Sequence, residues 1–189
     1  MSKEPQNNTS CLDDLSNTWF VMRDLKRANA NIKAWQILTE AGFEVFTPMH
    51  WKIYDKNGRK VRKYVPVISD LLFVHTQRDK LDPIVKKTET LQYRFSKNSH
   101  SVPMTVSEAE MNKFIRAIEN SESVRYYKPE EITSSFKGRK IRIVGGSLNG
   151  YEGKLLTTRG SKVKRLMIEI PNLLHAGIEV HPDFIQFID

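Results

Sequence analysis

The run "GGSLNGYEGKLL", residues 145 to 156, constrains this chain more than any other stretch. Gly145, Gly146, Gly150 and Gly153 punctuate it, with the strand-like runs RKIRIV before and KLLTT after. A backbone that turns through φ > 0, or that passes close against another backbone, needs residues without a Cβ. Three more short runs follow, KRLMIEI, GIEV and FIQFI, each bounded by turn residues. Strands spaced so closely leave no room for crossover helices, and a sheet that closes on itself protects its edges. A small all-β barrel over residues 135–189 is the expectation.

Upstream the rhythm changes. Trp19 to Met22 read as an apolar strand, and residues 28 to 41 as a helix on the spacing of Ile32, Trp35 and Leu38, with Gly42 as its C-cap. FEVFTP is a strand stopped by Pro48, residues 51 to 64 a basic hairpin turning at DKNG, and LLFVH a buried strand. Thr76 with Asp79, and Ser107 with Glu110, have capping-box spacing ahead of two further helices, with LQYRF as a strand between them. Met111, Phe114, Ile115 and Ile118 form the apolar stripe of the last helix, for which core packing is the plain reading. The order β-α-β-β-α-β plus a trailing helix predicts an α+β, ferredoxin-like domain with an antiparallel sheet over residues 18–119. Residues 1–17 read as a disordered tail and 120–134 as a linker.

Charge narrows the partners. Thirty Lys and Arg against 22 Asp and Glu leave a formal +8, which points to an anionic partner. Arg23, Lys26, Arg27 and Lys33 cluster around the start of the first helix. Lys52, Lys56, Arg59, Lys60, Arg62 and Lys63 face a single Asp55 in the hairpin, and such clusters suit phosphate contact or a solvated face. Cys11 is the only cysteine, the N-terminus has no apolar signal region, and no apolar run of ~18 residues could span a bilayer. A cytoplasmic protein is expected. Five scattered histidines, no Walker loop and no nucleophile elbow give no sign of catalysis, and no metal or other cofactor is expected.

The sequence from Gly138 to Leu155 resembles the KOW motif: a basic strand, a glycine loop, an aromatic and a last glycine before the next strand. TWFVM, VPVISDLLFV, SVPMTVSEAEMNKFI and IEVHPDFIQFI resemble, in order, segments of the NusG family of transcription elongation factors. Gly146-Ser147-Leu148 and Ile68-Ser69-Asp70-Leu71 depart from the housekeeping pattern, so the chain looks more like a specialised antiterminator of the RfaH or UpxY kind. The resemblance implies a non-enzymatic factor whose N-terminal domain spans the polymerase cleft and grips the clamp helices of the largest subunit. Tyr64, Ile68, Leu71 and Phe73 are the expected clamp contacts, each with a competing role in the core. Arg23, Lys26, Arg27 and Lys33 are expected to meet the non-template DNA strand. Leu148, Tyr151, Leu173 and Leu174 are expected to hold a protein partner of the KOW domain, for which the family offers the small ribosomal subunit and the termination factor Rho, while the basic residues flanking the loop would also suit RNA. The competing reading is a KOW-containing RNA-binding or ribosome-associated adaptor without polymerase contact.

Overall fold

Runs with apolar side chains at every position become central strands, because both of their faces are buried. In the computed structural model, residues 17–26, 32–96, 102–132, 138–157 and 160–188 are described. Here β1 (Thr18–Asp24) and β5 (Leu71–Thr76) pair antiparallel at the centre of the first sheet. β2 (Glu44–Phe46) flanks β5, and β6 (Leu91–Tyr93) flanks β1, giving the order β2-β5-β1-β6. β7 (Thr105–Val106) also pairs with β1. This antiparallel order is the ferredoxin-like arrangement expected from the sequence. Phe20, Met22, Leu72 and Val74 line one face and pack with Leu38 of α1 (Ala34–Glu40) and Leu81 of α2 (Arg78–Lys87).

The first helix runs from Ala34, with Lys33 as its N-cap, and Gly42 ends it at φ 85° as a C-cap glycine should; the expected start over residues 28–31 lies outside the described residues. Thr76 and Asp79 do not form a capping box: Gln77 is the N-cap of α2, and Asp79 Oδ1 accepts from the Lys80 amide. The tail expected at residues 1–17 lies, Asn17 apart, outside the described residues.

β3 (Met49–Lys56) and β4 (Arg59–Pro66) form a two-stranded ribbon outside the main sheets. Asn57 at φ 54° and Gly58 at φ 76° make its two-residue loop. Positive φ at both central positions is the type I′ geometry that matches strand twist, and Asn-Gly supplies it cheaply. Asp55 Oδ1 accepts from the Gly58 amide at 2.9 Å and fastens the turn.

The chain divides into two compact units, Met1–Ser107 and Glu108–Asp189. The break precedes α3 (Glu108–Glu119), so this helix goes with the β-rich unit and not with the ferredoxin-like one. Met111, Phe114 and Ala117 are buried, and α3 packs on β11 (Lys164–Ile170) and β12 (Leu174–Val180). Within the stretch expected as a linker, β8 (Val124–Tyr127) adds to the edge of β12. With β9 (Lys140–Ile143), β10 (Glu152–Thr157) and β13 (Ile185–Phe187), the second sheet runs β13-β9-β10-β11-β12-β8. Gly153 of β10 lies tight against β11: a Cβ there would fall on the Met167 carbonyl oxygen. The glycine-marked strands thus build the small KOW-like β unit that their spacing predicts.

Candidate nucleic-acid interface

Antiparallel register sorts the ribbon's side chains onto two faces. Trp51 opposes Tyr64 and Ile53 opposes Arg62 on one; Lys52 opposes Lys63 and Tyr54 opposes Val61 on the other. The Trp51 and Tyr64 rings lie 5.0 Å apart, and the Arg62 guanidinium sits 4.4 Å from the Trp51 ring centre. On the reverse face the Lys52 and Lys63 ammoniums stand 5.4 and 5.9 Å from the Tyr54 ring centre. Trp51, Ile53 and Tyr64 are 55%, 65% and 54% exposed. Sequence reasoning found the ribbon's cations but missed Trp51 and Tyr54. The alternation of aromatic with basic residues in WKIYDK was the available signal.

A second basic surface begins where β1 ends. Asp24 is buried and takes two amides, Lys26 N at 3.0 Å and Ala34 N at 2.8 Å. One carboxylate therefore satisfies the first amide of α1 and pins the turn that carries Lys26. Lys26 Nζ donates to the Ile32 carbonyl at 3.2 Å, and Arg23 Nε pairs with Asp70 at 3.2 Å on an open surface. Lys33 is the N-cap residue of α1. Arg27 lies outside the described residues. Asp24 was not singled out in the sequence, since a buried cap ten residues from its helix has no local signature.

The expected clamp residues separate. Tyr64 is open on the ribbon and Ile68 is half-buried in the turn before β5. Leu71 and Phe73 are 2% and 0% exposed, which is the core role that competes with a clamp contact for each of them. They belong to a central strand whose two faces are both packed.

Of the expected partner residues of the second unit, three are turned inward. Leu148, Leu173 and Leu174 are buried, because the turns and the strand start that carry them point into the core of the sheet. Tyr151 is half-buried; its hydroxyl donates to the Lys113 carbonyl at 3.3 Å, and the Lys113 ammonium is 5.9 Å from its ring centre. Apolar exposure in this unit falls instead on Val144, Phe184 and Phe187. Part of the basic charge of β9 is already neutralised. Arg142 donates to Glu152 Oε1 at 2.8 and 2.6 Å, holding that carboxyl below the usual carboxylate range, and Lys140 lies 3.7 Å away.

Among the described residues no three His, Cys, Asp or Glu side chains gather as a metal-holding group, and no helix is long and apolar enough to cross a membrane. The family model described as "Transcription termination factor nusG" matches residues 17–115. No curated protein matches. A solved structure titled "Domain interaction in Thermotoga maritima NusG" is similar at 17% identity over 92% of this chain and 98% of that one, with a TM-score of 0.46.

Proposed function

The chain belongs to the NusG family of transcription elongation and termination factors, and on that premise we propose that it is a specialised antiterminator. The observation that carries the reading is the family match over residues 17–115. In this reading the ferredoxin-like unit binds RNA polymerase across its cleft, grips the clamp helices of the largest subunit and keeps the clamp closed. Pausing and early termination fall because the closed state gains binding free energy that the open state does not. No bond is made or broken.

Tyr64 and Ile68 are the clamp contacts of this proposal, with Leu71 and Phe73 holding the strand behind them. Arg23, Lys26, Arg27 and Lys33 meet the non-template DNA strand. The second unit tethers a protein partner, the small ribosomal subunit or Rho, through the exposed Val144, Phe184 and Phe187. The specialised branch is supported by Gly146-Ser147-Leu148 and Ile68-Ser69-Asp70-Leu71, which depart from the housekeeping pattern.

The test is co-elution with a reconstituted elongation complex at about 200 mM salt, where long-range charge attraction is screened. The wild type should stay on the complex. Ile68→Asp places a charge in the apolar contact and should weaken retention about tenfold or more while the variant remains folded. Normal retention of folded Ile68→Asp would remove this surface from the clamp contact. Binding to bare RNA with no preference for polymerase would favour the adaptor reading instead.

A further inference from the structure

The β3–β4 ribbon combines two features that phosphate neutralisation alone does not require. Like charges stand directly opposite each other at Lys52–Lys63 and Lys56–Arg59, an arrangement that weakens strand pairing. Among the described residues, no carboxylate pairs with any of these four cations. At the same time Trp51 and Tyr64 hold two rings 5.0 Å apart with more than half of each exposed. An anionic occupant removes the repulsion; a planar occupant covers the rings. A nucleic-acid strand with unstacked bases is both. A duplex keeps its base faces inside the stack and offers the ribbon only phosphates.

We propose that the ribbon is a binding site for single-stranded nucleic acid, with an unpaired base stacked on Trp51 and Arg62 holding the phosphate beside it. Tyr64 backs the Trp51 ring and limits its motion. The Arg62 guanidinium lies over one part of the Trp51 ring, 4.4 Å from its centre; the base would take the part left exposed, with the guanidinium beside it to donate to the flanking phosphate. Lys52 and Lys63 add the attraction that draws the strand in. The site is separate from the Arg23–Lys26 surface, and it stands whether or not the protein grips polymerase.

The experiment uses the full chain and fluorescence anisotropy of labelled twelve-nucleotide probes: oligothymidylate, oligouridylate, a duplex and an abasic strand. Trp51→Ala should weaken binding of the single strands about tenfold, and Trp51→Phe should stay within about twofold of wild type. The abasic strand should bind about tenfold more weakly than oligothymidylate and be indifferent to Trp51→Ala. Arg62→Gln should lower the salt slope by a little under one. Whichever single strand binds more tightly, DNA or RNA, identifies the source of the ligand. Trp51 is the residue to vary because Tyr64 is also proposed to touch polymerase; retention of Trp51→Ala on the elongation complex keeps the two readings apart. Equal affinity of Trp51→Ala and wild type for single strands would overturn the proposal. So would a duplex or an abasic strand bound as tightly as oligothymidylate. Failure to bind any probe would also overturn it and leave the ribbon to an acidic protein surface.

Discussion

Tyr93 shows how much one side chain can tie together. Its hydroxyl donates to Asp82 at 2.7 Å, and its ring meets Phe20 edge-on at 5.7 Å, joining β6 to α2 and to the central strand. Burial raises the phenol's pKa well above the ordinary tyrosine value, and the Asp82 carboxylate, as acceptor and as a nearby negative charge, raises it further. A folded-state pKa above the unfolded one means that the folded chain holds this proton more tightly. The contribution is intact below about pH 10 and is lost as the pH climbs from there toward the folded value. Tyr93→Phe should therefore cost about 1–2 kcal/mol at neutral pH through loss of the hydrogen bond. Its urea-unfolding free energy should also fall less steeply than that of wild type between about pH 9 and 11. Parallel profiles would show that folding does not raise the phenol's pKa.

Among elements, α1 is only seven residues long, too short to persist on its own nucleation energy. Asp24 supplies from β1 what the helix lacks locally, with one oxygen on the Ala34 amide and the other on Lys26. Asp24→Ala should destabilise the unit by about 1–3 kcal/mol and speed amide exchange at Ala34 and Lys26 ahead of the β1 core. Protection unchanged at both amides would mean that the cap is incidental. What the sequence disclosed at this scale follows from how local each cause is. Asn57-Gly58 has a turn preference in two residues, and the ribbon was legible from it. LLFVH reads as a buried strand because both of its faces are apolar. The capping box at Thr76 and Asp79 has correct spacing, yet the chain enters α2 one residue later, at Gln77. Leu148, Leu173 and Leu174 look like an apolar patch in sequence. Their burial, and the exposure of Phe184 and Phe187 in the equally apolar FIQFI, are decided by packing between residues distant in the chain.

At the scale of the whole molecule, the fold classes of both units were readable, whereas a boundary after residue 119 rests on composition and compactness draws it before residue 108. Residues 120–134 are polar and hold a proline, which resembles a linker. Pairing of Tyr126 and Tyr127 with β12 nevertheless makes them part of the second sheet. The family match runs to residue 115, whereas compactness puts the break before residue 108. α3 therefore belongs by resemblance to one unit and by packing to the other. A fragment of residues 108–189 should unfold cooperatively at a higher urea midpoint than one of residues 120–189. The shorter fragment loses Met111 and Phe114 from the sheet and the Lys113 carbonyl from Tyr151, a difference of about 2–4 kcal/mol. Equal midpoints would return the helix to the first unit. The ribbon, for its part, obeys a rule of parity. Its strands are in register and its loop has two residues, so one extra residue in each strand below Trp51 would turn the aromatic face to the opposite side. Two in each would restore that face and move the tip outward by about 7 Å. The reach of this finger can change only in even steps if what it touches is to stay the same.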